Sequence, residues 1–266
     1  PRPAGGARKA GAPMDVESVE ALRDVAAHYA EMTVAAPTSY ALVEALRRVR
    51  DLDGAVEEAE AFPRRFPETP FVDDTLYFLV DTRLLKFEAA PGDATGAKVV
   101  DAAQRLVTEQ FARPDGRREP SEFRPRAWHA IGRVRHVLGD LGGAIAAYRE
   151  ASPAVEDARE ALAWLTDAKL ELAESVTAGV RGTASFPMRY RNVEEVRLRV
   201  YPVDLQVLFA VRRTLEGLNK IDLSGITPAQ EWTLKPEGGT DHAWHATSVE
   251  LPVGKDAAGV YLVVVK

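Results

Sequence analysis

The sequence contains no cysteine. Disulfides, thiolate metal sites and a cysteine nucleophile are therefore excluded within these 266 residues. This fits an exported protein without requiring one. No uninterrupted apolar run reaches about 18 residues, the length a spanning helix needs, so no membrane-spanning segment is expected. There is no G-x-S-x-G nucleophile elbow, and no G-x-G-x-x-G or Walker loop. Strong positive charge is missing too. Residues 1–180 hold 23 Lys+Arg against 30 Asp+Glu, and residues 181–266 hold 11 against 10. Neither part is basic enough to suggest nucleic acid as a partner.

What remains is ordinary globular material, and 266 residues suit two domains with a core each. The first stretch, PRPAGGARKAGAP, is rich in Pro, Gly and Ala. Residues 1–14 read as a flexible linker. The start, PRPAGGARKAGAP, holds neither an initiator Met nor a signal-peptide core, so a native N-terminus further upstream is expected.

Residues 15–174 read as helices in antiparallel pairs. Val16, Val19, Leu22, Val25 and Ala26 repeat at helical spacing, as do Leu42, Leu46 and Val49. Turns are expected at Ala36-Pro37-Thr38, at Asp51–Gly54 and at Phe66–Pro70. Short turns between helices imply antiparallel neighbours. An opening helix is expected near 16–33 and a closing one near 154–174, carried by Ala158, Leu162, Leu165 and Leu170.

The clearest unit is Ala127–Pro153, AWHAIGRVRHVLGDLGGAIAAYREASP. It resembles a tetratricopeptide repeat in Trp128, Ile131-Gly132, Leu138-Gly139-Asp140, Ala144, Tyr148 and Ala151. Gly132 and Ala144 are small enough for close helix approach. Gly139-Asp140 turns the chain and caps the second helix. Trp128 and Tyr148 fill gaps between helices. Arg135 departs from the pattern, standing where a Tyr is common. A weaker unit spans Tyr40–Pro67 around Ala55. A middle unit, about Phe71–Phe111, is expected to carry its small residue near Ala97, with inserted loops at Pro91–Asp93 and Pro114–Gly116. The resemblance implies a solenoid whose concave side binds a protein or peptide. The alternative, that the repeats only buttress the second domain, stays open.

Residues 175–266 read as an antiparallel β-domain. In FPMRYRNVEEVRLRVYPVD, residues 186–204, Val196, Leu198 and Val200 alternate with Arg197, Arg199 and Tyr201, the period of a strand with one buried face. Asn192 is a turn former, and Pro202 marks the strand's end or an edge. Further strands are expected near 175–181, 186–190, 229–235, 243–251 and 258–266. Turns are expected at Gly238-Gly239 and Gly254–Asp256, and a short helix over Leu205–Leu215.

The phrases YRNVEEVRLRVYPVDLQVLF, LEGLNKIDLSGITP and VELP…GVYLVVVK, across about residues 180–266, resemble an early macroglobulin-like domain of bacterial alpha-2-macroglobulin family proteins. The resemblance implies a macroglobulin-like β-sandwich after a tetratricopeptide-like α-solenoid. It implies the N-terminal part of a large periplasmic or extracellular protease trap with further macroglobulin domains downstream. It also implies target proteases as partners of the full-length protein, and no enzyme activity here. The thioester some members use needs a Cys, so covalent trapping is excluded in these residues. A stand-alone peptide-binding scaffold is the alternative reading.

Catalytic and cofactor sites are expected to be absent, and so is a metal site. In TDHAWH, His242 and His245 lie three apart beside Asp241, a metal possibility. On a strand that spacing sends the imidazoles to opposite sides, so a solvated loop is expected instead. His129 and His136, seven apart on one helix face, read as surface residues flanking the packing stripe rather than ligands. The pairs Glu57-Glu58, Asp73-Asp74 and Glu194-Glu195 read as solvated faces, since adjacent side chains diverge. Arg197 and Arg199 share a strand face and are expected to dock the acidic helical half.

Overall fold

A computed structural model describes residues 16–28, 32–179, 183–204, 206–207, 223, 225–253 and 258–266. The chain divides into two compact units, one running through Trp164 and the other beginning at Leu165. The expected linker, residues 1–14, lies outside the described residues.

The first unit is helical. Its helices are α1 (Val16–His28), α2 (Ala35–Arg48), α3 (Leu52–Arg65), α4 (Val72–Ala89), α5 (Asp93–Thr108), α6 (Arg124–Val137) and α7 (Leu141–Ala151). A further helix, α8 (Glu156–Thr166), follows. From α1 to α7 each helix packs on the next, and α4 also touches α2 and α6. Connections of a few residues between packed neighbours force the chain to reverse. In α5 the apolar Val99, Ala102, Ala103 and Leu106 recur every three or four positions, so that helix buries one stripe, whereas the central α4 is buried over more than half of its circumference. The main core joins Val43, Phe62, Leu76, Phe87, Leu106 and Ile131. Each such Leu or Phe contributes about 1.5–3 kcal/mol by leaving water.

Two turns are built alike. Asp51 caps α3 by accepting from Gly54 N at 3.0 Å, and Asp140 caps α7 by accepting from Gly143 N at 2.9 Å. The Asp51 amide donates to Leu46 O at 3.0 Å, and the Asp140 amide to Arg135 O at 2.9 Å. Within the later pair, a Cβ on Gly132 would meet the Tyr148 ring at 2.6 Å, so glycine lets α6 and α7 close on that ring. Arg135 uses its departure from the pattern. Its Nη1 donates to Gly143 O at 3.2 Å, tying α6 to the first turn of α7.

Several helical expectations are corrected. Ala36-Pro37-Thr38 lies inside the first turn of α2, where a missing N–H leaves no intrahelical bond unmade. The opening helix is described over Val16–His28, Met32 and Thr33 already lie outside any helix, and Val25 is exposed rather than packed. The small residue of the middle pair is the buried Gly96, not Ala97, because a Cβ there would meet Val134 at 2.9 Å. The expected loop at Pro114–Gly116 is the tip of a hairpin, β1 (Gln110–Ala112) with β2 (Arg118–Pro120). The closing helix stops at Thr166, and Leu170 belongs to a strand.

The second unit holds β3 (Lys169–Leu172), β4 (Ser185–Arg191), β5 (Val196–Val203), β6 (Gln230–Leu234), β7 (His245–Glu250) and β8 (Val260–Val265). They form two antiparallel sheets, ordered β3-β4-β7 and β6-β5-β8. One apolar cluster draws on both: Met188, Tyr190 and Val249 from the first, Val196, Leu198 and Trp232 from the second. The strand expected near 175–181 is found earlier, as β3. Its place is set by pairing of Lys169 with Arg191 and of Leu172 with Met188. Most of the helix expected over 205–215 and the turn at 254–256 lie outside the described residues.

Pro202 does not end its strand, which runs to Val203. Arg197 and Lys266 exchange both backbone hydrogen bonds, so odd-numbered residues of β5 bond β8 and even-numbered ones face β6. Pairing with β6 stops at Val200. Pro202 therefore withholds its donor only where no β6 residue pairs.

Candidate functional site

Two places gather polar side chains. The first is a groove of about 230 Å³ in the helical unit, lined by α4, α6 and the start of α8. On α6, Arg126, His129 and Arg133 recur at three and four residues and so share one helix face. Opposite them on α4 stand Tyr77 and Asp81. Each is held. Tyr77 stacks on Phe123 with centroids 4.5 Å apart, and the Arg126 guanidinium lies 5.5 Å over the Tyr77 ring. Asp81 is ion-paired with Arg47 of α2, and Arg133 with Glu88. Along the same side, Tyr40 stacks on Phe71 and Phe78, and Arg47 lies over Phe78.

His129 lines this groove half-buried, and His136 is also half-buried, so neither is a plain surface residue. Both rings contact Tyr148, at 5.9 and 6.2 Å. Burial pushes the His129 imidazole below its ordinary range. Arg133 pushes the same way, and Asp157 opposes. Burial raises the Tyr148 hydroxyl to about 12, with Arg133 opposing. Nothing local in the sequence marks Tyr77 and Asp81. The stripe Arg126-His129-Arg133 was the available signal, since polar residues on one face of a core-facing helix mark the side turned to solvent.

The second place is the end of the β-unit where TDHAWH lies. The two imidazoles go to different partners, as the spacing predicts, but both are half-buried and His245 opens β7, so the stretch is not the solvated loop expected. His245 Nε2 sits 2.8 Å from both Asp241 carboxylate oxygens, and its ring stacks on Tyr190. That hydrogen bond, with one from Ala243 N, holds the Asp241 carboxyl below the usual carboxylate range. His242 Nδ1 lies 2.7 Å from Asn192 Oδ1. The Asn192 amide nitrogen donates to Leu165 O at 2.6 Å and to Asp167 O at 3.1 Å, which orients its oxygen as the acceptor. His242 Nδ1 is thereby the donor. Between them, Trp244 takes the guanidiniums of Arg189 and Arg191, each 5.1 Å from its centroid. Among the described residues no group of three or more His, Asp or Glu could hold a metal.

The remaining candidates fall as follows. Glu57, Glu194 and Glu195 are exposed, as expected, but Glu58 is half-buried in an ion pair with Arg65. Asp73 is not: it is fully buried and accepts from Arg113 Nη1 at 3.1 Å, fastening the β1–β2 hairpin to α4. Burial raises the Asp74 carboxyl, with Asp73 and Glu122 adding to it. Arg197 and Arg199 both meet Glu231 on β6, at 3.7 and 3.2 Å. Their acidic partner thus lies on the neighbouring strand. No described helix is long and apolar enough to cross a membrane.

Compared with models of known families the chain matches none, and no curated protein shows significant similarity to it.

Proposed function

We propose that this chain is a non-catalytic, N-terminal part of a bacterial alpha-2-macroglobulin-like protease trap, working outside the cytoplasm. In this reading the helical pairs are a short tetratricopeptide-like solenoid. The two sheets are a macroglobulin-like β-sandwich that begins the ring of domains around a captured protease. The observation that supports it is the wording of residues 186–204, whose alternation becomes β4 and β5 across one shared core. The twin caps at Asp51 and Asp140 support the repeat reading of the helices. Reading the natural coding sequence past Lys266 tests the proposal. Further strand-rich domains are expected. A stop codon at that point would contradict it, because one such domain cannot enclose a protease.

A second reading, a peptide-binding scaffold, is favoured by the groove of Tyr77, Asp81, Arg126, His129 and Arg133. Its test is a peptide library on the isolated 266-residue chain. Binding lost in Arg126→Ala would support it, and an empty screen would remove it.

A further inference from the structure

Aspartate followed by glycine occurs twice in the sequence, at Asp53-Gly54 and at Asp115-Gly116. Such a pair has a reaction open to it that needs no partner but water. The glycine nitrogen can attack the aspartate Cγ, because the glycine has no side chain to crowd the approach. The fold holds the two pairs differently.

Asp53 lies in the first turn of α3. Helical side chains tilt towards the N-terminus, away from the following amide. The Gly54 N–H is engaged as well, donating to Asp51 Oδ1 at 3.0 Å, and the Asp53 carboxylate is ion-paired with Lys86. Asp115 sits at the tip of the β1–β2 hairpin instead. Its Oδ1 accepts from Arg117 N at 3.1 Å, so the carboxyl folds forward over the Gly116 peptide. A Cβ on Gly116 would meet nothing within 4 Å. The Gly116 N–H donates to Arg113 O at 2.9 Å and must release it to react. Paired strands of three residues give the turn few rungs to hold it shut. Solvent access points the other way, since the Asp53 side chain is 83% exposed and that of Asp115 57%. Geometry and access therefore favour opposite sites.

We propose that Asp115-Gly116 is a site of spontaneous aspartate isomerisation in the folded protein. The Gly116 nitrogen bonds to Asp115 Cγ. One carboxyl oxygen leaves as water, taking the amide proton and the carboxyl proton, and a succinimide ring remains. Water then opens the ring. Opening at Cγ returns aspartate. Opening at the backbone carbonyl carbon gives isoaspartate, whose main chain runs through Cβ and Cγ. The product has one more backbone atom between Arg113 and Arg117. The Arg113 amide donates to Arg117 O at 2.8 Å across that span, so the longer chain loosens the hairpin that Arg113 fastens to Asp73.

The test ages the 266-residue chain at neutral pH and body temperature. Its peptides are then read by mass spectrometry, with fragmentation that breaks the Cα–Cβ bond of isoaspartate. Isoaspartate at position 115 is expected to exceed that at position 53 at least tenfold. Asp115→Asn closes the same ring with ammonia leaving, and is expected to lose its amide faster than the parent isomerises. In the separated isoaspartyl form, NMR is expected to show the Arg113 amide exchanging at least fivefold faster. Equal conversion at both sites, as reaction through the unfolded chain would give, would overturn the proposal. So would a preference for Asp53, an Asp115 that stays intact, an Asp115→Asn variant that keeps its amide, or unchanged exchange at Arg113.

Discussion

Arg50 and Gly139 hold the same position in two turns 89 residues apart, and both are left-handed, with φ of 65° and 84°. Each follows a helix end whose last amides fold back on it: the Arg50 amide donates to Arg47 O, and the Gly139 amide to His136 O. Glycine adopts this backbone freely, but a residue with a Cβ is strained there. Arg50→Gly is therefore expected to stabilise the helical unit by about 0.5–1 kcal/mol. Gly139→Arg is expected to destabilise it by about 1–2 kcal/mol. Urea unfolding followed by far-UV circular dichroism reads both. The same sign from both swaps, or no effect from either, would rule the equivalence out.

Gly132 and Tyr148 are matched as surface and knob. Gly132→Ala places a methyl group 2.6 Å from the ring, so a loss of about 1–3 kcal/mol is expected. In the background of Tyr148→Leu most of that loss should vanish. A double-mutant cycle measures the coupling, and additive effects would show that the glycine matters for another reason.

Asp73 and Arg113 form the buried pair that fastens the hairpin. Arg113→Met leaves a carboxylate without its partner and is expected to cost about 3–5 kcal/mol. Adding Asp73→Leu should restore most of it, because an apolar pair of similar volume suits the site. Calorimetric midpoints of the three proteins check this. A double variant no better than Arg113→Met would contradict the pairing.

His129 supplies a pH dependence. Its folded-state value is depressed by burial and Arg133, so the unfolded chain takes up the proton first on acidification. The stability it contributes is complete above about pH 6.5, the unfolded value. It is lost as pH falls from there towards the folded value. The thermal midpoint of the helical unit should decline from pH 7 to pH 5, and His129→Asn should flatten that slope. An unchanged slope would remove His129 as its source.

The helical pairs and most strands were legible in the sequence because their signals are local. The period of two in Val196, Leu198 and Val200 and the turn at Gly139-Asp140 each need only a few residues to be seen. What was not legible depended on distant partners. Asp73 reads as a surface carboxylate until the hairpin brings Arg113, forty residues on, beside it. Leu170 continues a helical stripe in the sequence, yet pairing with Tyr190 draws it into a sheet. Pro202 reads as a strand end or an edge, and only the bonding parity of β5 decides for the edge. The groove on α4 and α6 is hidden in the sequence for the same reason. Tyr77 and Asp81 acquire their setting from Phe123 and Arg47, on other elements.

The most direct measurement is a two-substrate protease assay on the natural full-length protein. An endoprotease is incubated with it, then offered a large protein substrate and a small chromogenic peptide. A trap encloses the protease without touching its active site. The account predicts that cleavage of the large substrate falls by more than tenfold while the small peptide is still hydrolysed. Undiminished cleavage of both substrates by every endoprotease tried would contradict it.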